Sequence, residues 1–216
     1  MDLLDVGAAD LGRRLGGGES TAVDHIERVL ERIGKRDPGL NAFSQLNPGA
    51  LSRARELDAT PAREREALPL FGVPVAVKEE IEVAGLVTTL GGRGNTIPVA
   101  VDSEVVARLR AAGAIIIGKT NMPEFGQVPF TEGEWGATHN PCDPARSPGG
   151  SSGGSAVAAA RLGPRPAGSA RRTGLSWATC QRSSRTASGT PTSTGSTSTL
   201  KWTAASTRSP PIWGPP

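Results

Sequence analysis

Apolar residues in the first 120 positions recur with two different periods. Val23, Ile26, Val29, Leu30 and Ile33 fall at helical spacing, and Thr21 followed three positions later by Asp24 supplies a capping-box start, so the pattern predicts a packing helix over 21–33. His25 lies on that helix beside Asp24 and is expected as a solvated imidazole rather than a ligand or a base. A second helix is expected after Pro48, ending near Asp58, and an Arg/Glu-rich linker from Pro61 to Ala67 leads into Leu70-Phe71-Gly72-Val73-Pro74-Val75-Ala76-Val77. This run is short, β-branched and bounded by proline and charge, which predicts a buried strand ending at Lys78. A Gly-rich passage over 85–94 follows, then a stretch over 102–113 with an acidic start, a basic end and a glycine stop, and then the apolar strand Ala114-Ile115-Ile116-Ile117-Gly118. Strand, helix, strand in that order predicts an α/β fold with parallel pairing.

The periodicity stops near residue 160. The 56 residues from 161 to 216 hold ten Ser, ten Thr, seven Pro and three of the four Trp, and show neither period, so they are expected to stay disordered because they bury too little apolar surface to offset ordering entropy. Charge divides at the same place. Up to position 160 there are 16 basic and 21 acidic residues, whereas eight basic and no acidic residues follow. The chain therefore divides into 1–160, a folded part, and 161–216, a basic Ser/Thr/Pro-rich tail.

The net charge of +3 thus describes a tail and argues against a nucleic-acid partner, since no aromatic interleaving or nucleic-acid-binding motif accompanies it. No apolar run reaches membrane length, and Met1-Asp2-Leu3-Leu4-Asp5 places acids where a signal peptide needs bases, so the expected location is the cytoplasm, with no membrane contact. Cys142 and Cys180 are expected as free thiols there. With two cysteines and two histidines in all, no zinc-ligand spacing is present, and neither a metal nor another cofactor is expected.

The densest chemical signal is Ser147-Pro148-Gly149-Gly150-Ser151-Ser152-Gly153-Gly154-Ser155, which runs into Ala156-Val157-Ala158-Ala159-Ala160. Glycines around two serines let the backbone approach a bound group closely and present a reactive hydroxyl, and a flexible linker is the competing reading. The segment lacks the Gly-Lys-Ser/Thr ending of a phosphate loop. It fits Gly-x-Ser-x-Gly, yet no Asp, Glu or His follows residue 143, so a Ser–His–acid triad cannot be completed. The base has to be something else. Lys78 at the end of the apolar strand is the candidate, because a desolvated ammonium loses its proton more easily; Glu79 and Glu80 would oppose this if they faced it.

Three segments together resemble the amidase signature family: Gly72-Val73-Pro74-Val75-Ala76-Val77-Lys78, Gly118-Lys119-Thr120-Asn121-Met122-Pro123-Glu124-Phe125, and Asn140-Pro141 through Arg146 to Ala156. The resemblance covers about residues 1–162. It implies a mixed sheet flanked by helices, here a partial, truncated version of that fold, and hydrolysis of amides by a Ser–cis-Ser–Lys triad. By the same resemblance Lys78 is the base and Ser151, on a cis peptide bond, the relay, with Gly150, Ser152 and Gly153 shaping the loop. The implied substrate is a small-molecule amide, and a protein partner is implied only if the chain is akin to the A subunit of a tRNA-dependent amidotransferase. The family's acyl-forming serine is expected about two dozen positions after the relay, where Leu175 stands in Thr173-Gly174-Leu175-Ser176. The nucleophile is thus absent from its expected place. Back-translated with GC-rich codons and read two nucleotides on, the stretch from Lys201 to Gly214 becomes an amphipathic helical run, so the expectation is a frame change near residues 160–165. A non-enzymatic fragment is the competing reading from another class.

Overall fold

The computed structural model describes residues 2–162. The expectations of a disordered tail, a frame change and a missing serine at Leu175 bear on residues outside that span.

The fold is mixed α/β. After a 3-10 turn at Leu3–Asp5 come helices α1 (Ala8–Gly16) and α2 (Ala22–Arg36), strand β1 (Phe43–Leu46), helix α3 (Ala50–Asp58), a single turn of helix α4 (Ala62–Arg65), strand β2 (Pro74–Lys78), helix α5 (Glu104–Ala111) and strand β3 (Ile115–Thr120). A two-residue hairpin pair, β4 (Glu132–Gly133) and β5 (Gly136–Ala137), precedes the short helix α6 (Gly153–Val157), whose last turn widens into a π-helix over Ala158–Leu162. Helix α2 starts where the capping pattern placed it: Thr21 Oγ1 accepts from Asp24 N at 3.0 Å. A second cap comes from α3, since the Asp58 carboxylate accepts from Ala22 N at 2.8 Å and Val23 N at 3.0 Å. A negative charge on two otherwise unpaired N–H groups ties the start of one helix to the end of the other.

The main sheet has the order β1-β3-β2. Strands β2 and β3 pair in parallel across the crossover helix α5, as the strand–helix–strand pattern predicted, and β1 adds antiparallel to the other edge of β3. Alternation along β3 divides the core. Ile115 and Ile117 pack with Leu15, Ile26, Ile33 and Phe71, while Ile116 packs with Val77, Val83, Leu86 and Val106 on the opposite face. Covered on both faces, β3 is buried throughout and reads as a continuous apolar run rather than an alternating one. The register shifts between Val75 and Ala76, which pair with Ile116 and Gly118 and so leave Ile117 as an extra residue. Asn47 completes the bonding there: its N–H donates to Ile117 O at 2.9 Å and its Nδ2 to Ile116 O at 2.7 Å. Beyond the irregularity Lys78 pairs with Thr120, so both strands end level.

Two expectations are corrected. His25 is buried, with only 2% of its surface exposed. It lies one helical turn from both Ala22 and Val29 and so joins the buried stripe of α2, over which the N-terminal turn packs, with Arg28 bonded to Asp2 and Arg32 to Leu4 O. Cys142 is disulfide-bonded rather than a free thiol, and the expectation for Cys180 bears on a residue outside the described span. No described helix is long and apolar enough to cross a membrane.

Burial pushes the His25 pKa down from 6.5 to about 4, with Arg28 adding to the effect, and its Nδ1 has no hydrogen-bond partner. The unfolded chain therefore binds a proton between these two values that the folded chain refuses. Stability is complete above pH 6.5 and falls as the pH drops toward 4, by roughly 3 kcal/mol in all. Thermal melting of the chain between pH 7 and pH 4.5 is expected to show this fall, and His25→Leu is expected to flatten it. An unchanged slope in the variant would refute the assignment.

Candidate active site

Strand β2 ends at Lys78 because the parallel ladder to β3 ends there, and its Nζ leaves the sheet at the mouth of the Gly/Ser segment. Nζ donates to Ser151 Oγ at 2.8 Å, joining two residues 73 positions apart in sequence. Glu80 Oε1 lies 3.3 Å from the same nitrogen, whereas Glu79 turns to the other side of the strand. The lysine side chain is 16% exposed and the Glu80 side chain 44%, so the ion pair sits at the rim. The peptide bond between Gly150 and Ser151 is cis.

The loop reaches this position because its glycines let backbone meet backbone. A Cβ at Gly150 would overlap the Phe130 carbonyl, and one at Gly153 would overlap Thr131 Oγ1, the atom that accepts from Gly153 N at 3.0 Å. At Gly154 a Cβ would lie 2.5 Å from both N and O of Asn121 and 2.6 Å from Ala42 O. Thr131 Oγ1 donates in turn to Gly149 O at 2.9 Å, so one hydroxyl clamps both sides of the Gly150–Ser152 turn. Ser155 Oγ meets Thr120 Oγ1 at 2.6 Å, at the end of β3, and Gly154 N donates to Asn121 O at 3.2 Å. Ser152 is exposed at the head of α6, and its carbonyl accepts from Ala156 N at 3.0 Å.

Across from Ser151 lies Gly126, at φ +64°, a conformation that favours glycine. A Cβ there would be 3.5 Å from Ser151 Oγ and 3.6 Å from Lys78 Nζ, so this backbone is the neighbour of the pair on that side. Chemically, the arrangement offers an amine hydrogen-bonded to a hydroxyl, partly shielded from water and framed by backbone.

The family model for amidases matches residues 24–169 of this chain. The chain belongs to the amidase family. It is 48% identical over 174 residues to the putative amidase AmiB2 of Mycobacterium tuberculosis strain H37Rv, in an alignment that covers 78% of this chain and 37% of AmiB2. The A subunit of the glutamyl-tRNA(Gln) amidotransferase of Salinispora arenicola is 45% identical over 164 residues, covering 74% of this chain and 33% of that protein. Among solved structures, the native peptide amidase of Stenotrophomonas maltophilia superposes with a TM-score of 0.64 at 37% identity, over 73% of this chain and 34% of that one. The chain thus spans about a third of the length of the relatives it matches.

Lys78, Ser151, Gly150, Ser152 and Gly153 from the sequence motifs all fall in this one place, and Leu175 lies outside the described residues. Thr120 and Ser155 lie within the motif segments without a role assigned to them there, and Thr131 and Gly126, which hold the loop or border the pair, lie outside those segments. The sequence signal for Thr120 is that Lys119 and Thr120, followed by Asn121, close an otherwise apolar strand, and polar residues at a buried strand end need partners.

Because the atoms around Gly154 are backbone, they cannot move aside cheaply. Gly154→Ala is expected to destabilise the fold by about 1–3 kcal/mol in chemical denaturation, as overpacking does. Gly94→Ala, where a Cβ meets nothing within 4 Å, is expected to change stability by less than about 0.5 kcal/mol.

Proposed function

We propose that this chain carries the proton-handling half of a serine-type amide hydrolase acting in the cytoplasm, with Lys78 as general base and Ser151 as relay. One observation supports the reading above all others, the 2.8 Å hydrogen bond from Lys78 Nζ to Ser151 Oγ. A neutral Lys78 takes the Ser151 proton while Ser151 Oγ takes the proton of an attacking serine hydroxyl, which adds to the amide carbonyl. The proton returns through Ser151 to the leaving nitrogen, the C–N bond breaks, and an acyl-serine remains that water hydrolyses by the same route. Glu80 Oε1, 3.3 Å from Lys78 Nζ, borders this pair at the rim of the site. Gly150, Ser152 and Gly153 hold the turn that carries the relay. The scheme needs neither metal nor cofactor.

The nucleophile is the missing piece, since Leu175 occupies its expected place, and the frame change near residues 160–165 is part of this proposal. The substrate class is a small-molecule amide. The 45% identity to the A subunit of an amidotransferase favours a second reading within the family, in which glutamine is the amide and a protein partner receives the ammonia. A third, a fragment with no activity, is an outcome of the test below.

The test is a panel of aryl and aliphatic amides and glutamine, assayed with the chain as written and with the reading frame restored. The chain as written is expected to turn over at no more than a residual rate: loss of a single oxyanion donor already costs roughly a hundred- to a thousand-fold, and loss of the nucleophile removes the covalent route. The restored version is expected to be active, and Lys78→Ala or Ser151→Ala in it to lose about a hundredfold or more. Robust turnover by the chain as written that vanishes in both variants would move the nucleophile to Ser151 or Ser152. An inactive restored version would leave the fragment reading standing.

A further inference from the structure

Beneath the site lies a buried ion pair that the proton relay does not use. Lys119 is fully buried on the central strand, and Glu79, next to Lys78 in sequence, is 2% exposed. Their side chains approach to 3.6 Å. Burial holds the Lys119 pKa below the ordinary lysine value, and the Glu79 carboxylate opposes that shift.

Most of the bonding of this pair goes to the loop over 87–91. Lys119 Nζ donates to Val87 O at 2.8 Å and to Thr88 Oγ1 at 2.7 Å, and the Glu79 carboxylate accepts from Thr89 N at 2.5 Å and from Gly91 N at 2.9 Å. The loop passes this order on. Leu90 O accepts from Phe125 N at 2.8 Å, and Gly91 packs so closely on Pro123 that a Cβ there would lie 2.6 Å from its carbonyl oxygen. Gly126 N then bonds to Pro123 O at 2.9 Å, and Gly126 is the backbone that borders Lys78 Nζ and Ser151 Oγ. Leu90 and Phe125 themselves have φ of 55° and 53°, a region costly for bulky side chains and held only where the surroundings impose it.

We propose that Lys119 and Glu79 are positioning residues for the Lys78–Ser151 site, acting through the loop over 87–91 on Phe125 and Gly126. The proposal rests on the reading of Lys78 and Ser151 given above. A buried pair of this kind is replaceable by apolar residues with little loss of stability, so its role is read in where it holds the loop rather than in how much it stabilises.

The test compares the full chain with Glu79→Leu/Lys119→Met, which removes both charges together, and with Glu79→Gln, which keeps the volume and one acceptor. Amide exchange is followed residue by residue by NMR. In the double variant Phe125 and Gly126 are expected to exchange at least about ten times faster, while Ile115, bonded to Val73 O in the sheet, stays within about twofold. Acetylation of Lys78 relative to the exposed Lys35 is expected to rise, since the local net charge is unchanged and only the cover has loosened. Glu79→Gln is expected to give the same local pattern at smaller amplitude, and it decides the matter if the double variant does not fold. Wild-type exchange at Phe125 and Gly126, or equal acceleration at Ile115, would overturn the proposal. None of these readouts needs turnover, so failure of the positioning role and failure of the hydrolase reading are told apart.

Discussion

A strand buried on both faces that ends in Lys119 and Thr120, with buried Asn121 directly after it, must find partners for three polar side chains at once, because an unpartnered buried polar group costs about 1–3 kcal/mol and a buried charge more. Each finds them in a different segment. Lys119 reaches the loop over 87–91, Thr120 meets Ser155 and Val77 O, and Asn121 Nδ2 donates to Asn41 O at 2.9 Å while its backbone bonds Gly154. The site is therefore assembled around the end of β3, although neither Lys78 nor Ser151 belongs to that strand. Satisfying the strand end is what brings the loop carrying Ser151 onto the end of the strand carrying Lys78.

Most other charge pairs play no such part. Arg13–Asp10, Lys35–Glu31, Arg108–Glu104 and Arg63–Glu64 are exposed, and pairs of that kind contribute between nothing and about 1 kcal/mol each. Lys119–Glu79 differs in being dry and in bonding backbone as well as side chain. Its desolvation cost is offset only because the loop over 87–91 supplies the remaining bonds, so loop and pair stand or fall together.

What the sequence made legible follows from how local each feature is. Helix α2 with its cap, helices α3 and α5 and strands β2 and β3 are encoded by short-range periodicity and punctuation, and their bounds lie within a few residues of those expected. Strand β1 left no such trace: four residues, Phe43-Ser44-Gln45-Leu46, form a strand because β3 offers an edge, not because of any local preference. His25 departs from expectation because the charges of Asp24 and Glu27 beside it suggested a solvated face, whereas its burial comes from residues one turn away and from the N-terminal segment folded over them. The Gly/Ser segment announced a site by composition, yet which glycine fits which backbone is a matter of contacts with residues 121–131 that no local pattern records.

The pairing of Lys78 with Ser151 has a geometric consequence for any chemistry carried out there. In the proposed scheme the Ser151 hydroxyl has to stay within hydrogen-bond reach of Lys78 while presenting a second lone pair outward, a tolerance of about half an ångström. Lys78 is fixed by a strand whose ladder reaches its own residue, with Glu79 N bonded to Thr120 O at 3.0 Å just beyond it. Ser151 has no strand to hold it. It is fixed instead by Thr131 bonding both Gly149 O and Gly153 N, and by glycines at 150, 153 and 154 seated against backbone. Rigidity at Lys78 thus comes from regular structure and rigidity at Ser151 from close packing without side chains. The second kind is the more fragile, because a single added methyl group moves the hydroxyl, whereas a changed side chain on the far side of β2 leaves the lysine's backbone where the ladder puts it.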